Sequence, residues 1–262
     1  MFKDMAKNKK RAASGWRKLK INAFAITLFV IIILSLYIYF LNGPYIKMNG
    51  NSTTENLELK SKTDRNENAL IDDDAIMGNA DAPIAIIEFG DFMCKFCGEL
   101  HREIEPIWRK EYIETGKAKY VFRDFVSSDH PQAYPAAEAS ECANLQGKKW
   151  QMYDLLFDNA YTGDSWAGIK DREALLNIFK KYGEKIGLNM EQFSPCLSNN
   201  FFANEINNDI FAGVSTGVSG TPTIFIGNDQ TGFAKILGSQ PYSVYKQIID
   251  EKLNWNLSKS KK

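Results

Sequence analysis

The chain has 262 residues and a formal net charge of zero, but its charges are unevenly distributed. The first twenty residues carry eight Lys or Arg and a single acid, whereas the other 242 residues carry 24 basic and 31 acidic groups. The sequence therefore predicts no nucleic-acid partner, because the body of the protein has no excess of basic residues.

Residues 21–41 form an uncharged, apolar stretch directly behind the basic segment 1–20. A helix of this length measures roughly 30 Å, enough to cross the hydrocarbon core of a bilayer. A cleaved signal peptide is the alternative, but this stretch exceeds the usual ~7 to 15 apolar residues and no small-residue cleavage site follows it. We interpret it as the single transmembrane helix of a protein anchored in the cytoplasmic membrane, with its N-terminus in the cytoplasm. The four cysteines would then lie on the extracytoplasmic side, where disulfides persist.

Residues 42–71 are polar and show no hydrophobic period, which indicates a flexible tether. We expect one folded domain over residues 72–256, followed by a disordered tail, 257–262. Residues 83–90, rich in Ile and Phe, predict a buried strand. A helix is expected from Cys97 onward, kinked at Pro106 because proline removes an amide donor.

Residues 117–126 predict a second strand, so that the first strand, the helix and this strand form a βαβ unit with a parallel strand pair. Residues 131–216 suit several helices punctuated by glycines, and we interpret them as a helical insertion. Two further strands, 221–227 and 233–238, are close enough to form an antiparallel hairpin. A final helix, about 241–254, is expected to cover the sheet.

The segment "DFMCKFCGEL" (91–100) places Cys94 and Cys97 three residues apart, after a strand and at the start of a helix. A zinc site is one interpretation, but no second close pair of Cys or His completes four ligands. Covalent haem needs His directly after the second cysteine, where Gly98 stands. A permanent disulfide staple would close a very small loop and stabilise little. A redox pair fits best, because amide groups at a helix start lower a thiol pKa.

The other two cysteines, Cys142 and Cys196, both lie in the predicted insertion. A bond between them would close a loop of more than fifty residues, which the chain-entropy model values at roughly 4 kcal/mol. This pair therefore suits a structural disulfide. For His101 and His130, a hydrogen-bonded structural role is expected rather than catalysis.

Four segments together resemble the DsbA-like thiol:disulfide oxidoreductases of the thioredoxin-fold superfamily. They are "DDDAIMGNADAPIAIIEFGDFMCKFC", "VFRDF", "HPQAYPAAEASECANLQGKKWQMYDLLF" and "GVSGTPTIFIGN", within about residues 72–252. The resemblance implies an α/β fold, namely a thioredoxin fold with an inserted α-helical subdomain. It also supports the structural role of the second cysteine pair.

The resemblance further implies roles for individual residues. Cys94 would be the nucleophile and Cys97 the resolving thiol. Thr221 and Pro222 would line the substrate site, with Pro222 in the cis conformation. Glu88 would be a buried acid that assists proton transfer, although an acid exposed at the strand end is the alternative.

The expected activity is the introduction of disulfides into reduced secreted or membrane proteins, without a cofactor or metal. A membrane quinone-coupled oxidase is the reoxidising partner that the resemblance implies. Many relatives have proline directly after the first cysteine, where this chain has Lys95, so a disulfide reductase or isomerase remains an alternative. A non-catalytic, tethered binding module is another.

Overall fold

The computed structural model describes residues 70–162 and 165–259, with side chains as far as Trp255. Its centre is a five-stranded sheet in the order β1-β3-β2-β4-β5. The strands are β1 (Ile76–Met77), β2 (Ile84–Gly90), β3 (Ala118–Asp124), β4 (Thr223–Asn228) and β5 (Gly232–Leu237). β2 and β3 are parallel, and all other neighbours are antiparallel. The predicted βαβ unit and hairpin are therefore confirmed, whereas the short β1 was not predicted.

Eight α-helices surround this sheet within the described residues. They are α1 (Lys95–Glu103), α2 (Glu105–Trp108), α3 (Ala133–Asn144), α4 (Lys149–Ala160), α5 (Arg172–Lys185), α6 (Met190–Ser198), α7 (Ala203–Ser215) and α8 (Tyr242–Lys259). Helices α3 to α7 form the predicted helical insertion between β3 and β4. The thioredoxin-like α/β architecture expected from the sequence is thus present.

The helix that follows the cysteine pair is interrupted at the predicted proline. α1 ends at Glu103, and α2 begins at Glu105 with Pro106 in its first turn, where a missing amide proton costs no helical hydrogen bond. A π-helical turn, Arg109–Ile113, then completes the segment. The predicted kink is therefore a break between two helices.

Side chains of β2, the central strand, alternate between the two buried faces of the sheet. Ile84 and Ile86 join the larger hydrophobic core, which also contains Cys94 and Cys97, whereas Ala85 and Ile87 join a smaller core on the opposite face. Because side chains alternate along a strand, Glu88 shares the face of Ile84 and Ile86. The strand therefore directs a carboxyl group into the larger core.

A buried ionic network connects the end of β3 to the insertion. The Arg123 guanidinium pairs with Asp74 (3.0 Å) and with Asp209 of α7. Lys149 of α4 pairs with the same Asp74 (3.2 Å) and with Glu141 of α3 (2.5 Å). Removing one member would leave a buried charge unpaired, which strongly destabilises a fold. The network thereby holds three insertion helices against one strand end.

The N-terminal predictions fall largely outside the described residues. The basic segment 1–20, the transmembrane anchor 21–41, nearly all of the tether 42–71 and residues 260–262 of the tail lie there. The prediction that the tail is disordered from residue 257 onward is wrong, because α8 continues to Lys259. No helix of the described part is long and apolar enough to span a membrane. Leu70 and Ile71 are an exception, because both are buried in the smaller core. The predicted boundary of the folded domain at residue 72 is therefore at least two residues too late.

Cys142 of α3 and Cys196 of α6 are joined by a disulfide, as expected. The two residues are 54 positions apart, and their Cα atoms are separated by 5.9 Å. Both are buried among the apolar side chains of the insertion.

Replacing both cysteines, Cys142→Ala with Cys196→Ala, is expected to lower the free energy of unfolding by about 4 kcal/mol, because the unfolded chain regains the entropy of the opened loop. Urea unfolding monitored by circular dichroism measures this loss. The unmodified protein in strong reductant is the control and should approach the variant. A loss below about 1 kcal/mol would contradict a stabilising role for this disulfide.

Candidate active site

Cys94 occupies the N-cap of α1, and Cys97 lies in the first turn of the same helix. Both are free thiols in this structure. Cys94 retains 7% of its surface exposed and Cys97 only 1%, so an incoming sulfur atom can reach only Cys94. The helix begins here because the Asp91 carbonyl accepts from the Cys94 amide (2.9 Å), and the Cys94 carbonyl accepts the first helical bond from Gly98 (3.0 Å).

The surroundings of Cys94 stabilise its thiolate. A hydrogen bond from Cys97 is the main cause, and a hydrogen bond from the Thr221 side chain and the backbone amides of Cys97 and Phe96 add to it, so that the pKa of Cys94 falls to about 6 despite partial burial. Cys94 Sγ also lies 3.3 Å from the carbonyl oxygen of Thr221. At neutral pH the reduced protein therefore carries a thiolate at Cys94.

Cys97 and Glu88 lie in the opposite environment. Burial raises the pKa of Cys97 well above its ordinary value, and the neighbouring Cys94 and Glu88 charges act in the same direction. Burial likewise raises the pKa of Glu88 to about 8, against a hydrogen bond from Tyr120 (2.8 Å) that favours the carboxylate. Glu88 is 1% exposed, which excludes the alternative of an acid facing solvent. Its Oε1 atom is buried and has no hydrogen-bond partner among the residues that the structure describes.

The loop before β4 brings Thr221 and Pro222 beside the cysteine pair, 127 residues away along the chain. The Thr221–Pro222 peptide bond is cis, as the resemblance implied. Pro222 is buried and Thr221 is partly exposed. The Thr221 backbone therefore borders the opening through which Cys94 is reached.

Asp91, which the sequence analysis did not identify, shapes the turn before Cys94. This fully buried carboxylate accepts from the Met93 amide (2.7 Å), the Ser127 amide (2.9 Å) and the His130 ring (2.8 Å). The short Asp91-to-Met93 contact is an Asx-turn, which an aspartate two residues before a turn can signal. His130 accordingly has the structural role expected of it.

The aromatic residues around the cysteines divide into buried and exposed groups. Phe92 is buried against Phe122 and Phe157, whereas Phe96 is 56% exposed. Tyr161, from the insertion, donates to the Met93 carbonyl and remains half exposed. Lys95 points to solvent, 3.7 Å from Glu99. Two exposed aromatic side chains, Phe96 and Tyr161, thus lie in the neighbourhood of Cys94.

Two residue groups in the described ranges are close enough to hold a metal ion. One contains Cys142 and Cys196, whose sulfur atoms are already bonded to each other. The other contains His101, Glu105 and Asp154, but the Arg109 guanidinium pairs with both carboxylates at 2.5 and 2.6 Å. That guanidinium already supplies the positive charge that the two carboxylates attract.

Comparison with known proteins is consistent with this geometry. A family model described as thioredoxin matches residues 71–251. A solved structure, alpha-DsbA1 of Wolbachia pipientis, aligns with a TM-score of 0.61 and 25% identity, covering 72% of this chain and 94% of that one.

Two curated relatives are longer than the matched region. The chain is 33% identical over 156 residues to the Na(+)/H(+) antiporter NhaA 3 of Salinispora tropica, covering 59% of this chain and 22% of that protein. It is 30% identical over 163 residues to a putative protein-disulfide oxidoreductase of Rickettsia conorii, and the match covers 62% of this chain and 56% of that protein. The chain therefore spans less than two thirds of the length of either relative.

The thiolate of Cys94 is expected to titrate with a midpoint near pH 6 in the reduced protein, as followed by its ultraviolet absorbance. Because the unfolded thiol has a higher pKa of about 9, the reduced protein gains stability as the pH rises from about 6 toward 9 and loses it as the pH falls through 6. Cys94→Ser should abolish the transition. A midpoint above pH 8 would contradict the stabilised thiolate.

Glu88→Gln is expected to stabilise the protein increasingly as the pH rises from about 4.5 to about 8. At a pH where Glu88 is ionised in the unfolded chain but protonated in the folded state, its raised pKa destabilises the folded state. Its replacement should therefore raise the free energy of unfolding by at least about 1 kcal/mol at pH 8. Denaturant unfolding across this range measures the gain. The exposed Glu103, changed to Gln, is the matched control. A gain that is independent of pH would contradict the buried, neutral acid.

Proposed function

The chain belongs to the DsbA-like family of thioredoxin-fold proteins, and we propose from this premise that it is a thiol:disulfide oxidoreductase that introduces disulfides into reduced secreted or membrane proteins. We further propose that residues 21–41 anchor it in the cytoplasmic membrane, with the catalytic domain on the extracytoplasmic side. The length of this uncharged, apolar segment and the basic residues that precede it support the proposal of a membrane anchor.

The observation that carries the proposal is the contrast between the two thiols. Cys94 is stabilised as a thiolate with a pKa of about 6, whereas the pKa of the buried Cys97 is raised. Greater stabilisation of the thiolate makes the corresponding disulfide more oxidising. The contrast supports thiol–disulfide exchange at Cys94, and the potential of the pair decides between oxidase and reductase.

In the proposed reaction, a substrate thiolate attacks Cys94 Sγ of the oxidised pair and forms a mixed disulfide. The bond between the two cysteines breaks, and Cys97 leaves with the electron pair and takes a proton from Glu88. A second thiolate of the substrate then attacks the substrate sulfur of the mixed disulfide. This second attack forms a disulfide within the substrate and releases Cys94 as a thiolate. Two substrate thiols are oxidised, and the cysteine pair is reduced.

The surface around Cys94 suits an unfolded substrate. Phe96 and Tyr161 offer exposed aromatic area, and the partly exposed Thr221 presents its backbone beside the reacting sulfur. Large apolar surfaces beside a reactive group favour binding of unfolded chains. Reoxidation requires an electron acceptor, and we propose a membrane quinone-coupled oxidase as that partner.

Capture of substrates on the nucleophile tests the proposal. Cys97→Ala leaves the mixed disulfide at Cys94 without its resolving thiol, so that extracytoplasmic proteins should accumulate on Cys94 in cells. Mass spectrometry of the captured species, released by reductant, identifies them. Cys94→Ala should capture nothing and should lose activity in refolding of a reduced protein.

The equilibrium potential of the cysteine pair against glutathione tests the direction. The oxidase proposal requires a value well above about −270 mV, which is typical of thioredoxin. A value near that of thioredoxin would favour the reductase. Full refolding activity after Cys94→Ala would contradict the mechanism, and no activity in the unmodified protein would favour a binding module.

A further inference from the structure

A series of hydrogen-bonded side chains continues inward from Glu88. The Tyr120 hydroxyl lies 2.8 Å from Glu88 Oε2 and 3.0 Å from the hydroxyl of Tyr153. The Tyr153 hydroxyl in turn lies 2.7 Å from Glu105 Oε2. Each member is almost completely buried, between 0% and 1% exposed.

The series continues from Glu105 to the surface. His101 Nδ1 lies 3.2 Å from Glu105 Oε2, and His101 Nε2 lies 3.3 Å from Asp158 Oδ1. The Asp158 side chain is 58% exposed. A continuous hydrogen-bonded series, Glu88–Tyr120–Tyr153–Glu105–His101–Asp158, thus joins the acid beneath the active site to solvent at α4.

The protons available to the inner part of this series can be counted. Its three oxygen-to-oxygen contacts each need one proton, and the two tyrosine hydroxyls supply two. The third must come from a carboxyl group, so every contact is satisfied when either Glu88 or Glu105 is protonated and the other is ionised. Moving one proton across each contact then transfers the extra proton from one carboxyl to the other.

We propose that this hydrogen-bonded series carries a proton between solvent and Glu88 each time the cysteine pair changes its redox state. The inference rests on the proposed function, and it assigns Tyr120, Tyr153, Glu105 and His101 as positioning residues for proton transfer.

The need for such a route follows from the proton balance of the reaction. When the oxidised pair is reduced, Cys97 takes a proton from Glu88, while Cys94 remains a thiolate. Glu88 then requires one proton from solvent, and it must release that proton before Cys97 can be oxidised again. Neither Glu88 nor Cys97 is open to solvent. One proton therefore enters on reduction, and one leaves on oxidation.

The charges along the series favour Glu88 as the resting position of the extra proton. Burial disfavours the ionised form of Glu105, but contacts to His101 and Arg109 outweigh it and lower the pKa of this acid. Burial also opposes protonation of His101, but Glu105, Asp154 and Asp158 raise its pKa overall. No cation in the described part of the chain lowers the pKa of Glu88, so at neutral pH Glu88 holds the proton and Glu105 is ionised.

The test separates the two thiol reactions of the reduced full chain in a stopped-flow experiment with one equivalent of a dithiobis(nitrobenzoate) reagent. Cys94 attacks first and releases one coloured nitrothiophenolate. Cys97 then attacks Cys94 Sγ and releases the second, while its proton leaves through Glu88. The first phase reports Cys94, and the second reports the loss of the Cys97 proton.

Tyr153→Phe keeps the ring but removes the central hydroxyl, and it should slow the second phase at least tenfold at neutral pH while the first phase stays within about twofold. Glu105→Gln retains a hydrogen-bond acceptor that cannot relay a proton, and it should act likewise if the tyrosine variant folds poorly. The matched control is Tyr245→Phe, which removes an equally buried hydroxyl that contacts Gln240 and Gly238 instead.

Three results would overturn the inference. The first is a second phase within twofold of the unmodified rate in both Tyr153→Phe and Glu105→Gln, which would mean that protons reach Glu88 by penetrating water. The second is equal slowing by Tyr245→Phe, which would indicate a general effect on the core. The third is a missing first phase in the unmodified protein, which would overturn the proposed function itself and the inference with it.

Discussion

The burial of the Glu88 carboxyl group is the constraint on which the site depends. Strand alternation directs this side chain into the larger core, and α1 places Cys97 against it. A buried carboxyl group is costly in its charged form unless it is hydrogen-bonded, so Glu88 stays largely neutral and close to a tyrosine. The buried acid beside the cysteine pair is thus a consequence of how the central strand is covered.

The same helix creates two different thiols only three residues apart. Cys94 lies at the helix start, where amide groups favour the thiolate, and Cys97 lies one turn inward, where burial disfavours it. The two cysteines therefore differ in pKa because their surroundings and burial differ, although they are the same residue type. The exposed Lys95 pairs with Glu99 instead of the sulfur. Hydrogen bonds from Cys97 and Thr221, followed by the backbone amides, account for the lowered pKa of Cys94.

The helical insertion contributes to the chemistry as well as to the surface. Tyr153 and Asp158 of α4 belong to the hydrogen-bonded series, and Tyr161 contacts the loop before Cys94. The ionic network around Arg123 and the Cys142–Cys196 disulfide hold this insertion in place. A displacement of α4 would consequently break contacts of Tyr153 and Asp158 within the hydrogen-bonded series.

Local sequence patterns were sufficient to predict the βαβ unit, the hairpin, the insertion and the position of Cys94 at a helix start, because periodicity and helix starts are short-range properties. Tertiary structure alone decided that Glu88 is buried and largely neutral, and that Tyr120, Tyr153, Glu105 and His101 form one series. The contacts of this series join residues that lie 32 to 57 positions apart along the chain. The one exception is the His101–Glu105 contact, which spans four positions. Burial and hydrogen bonding between distant segments exist only once the sheet and insertion have packed, so no local pattern could reveal them.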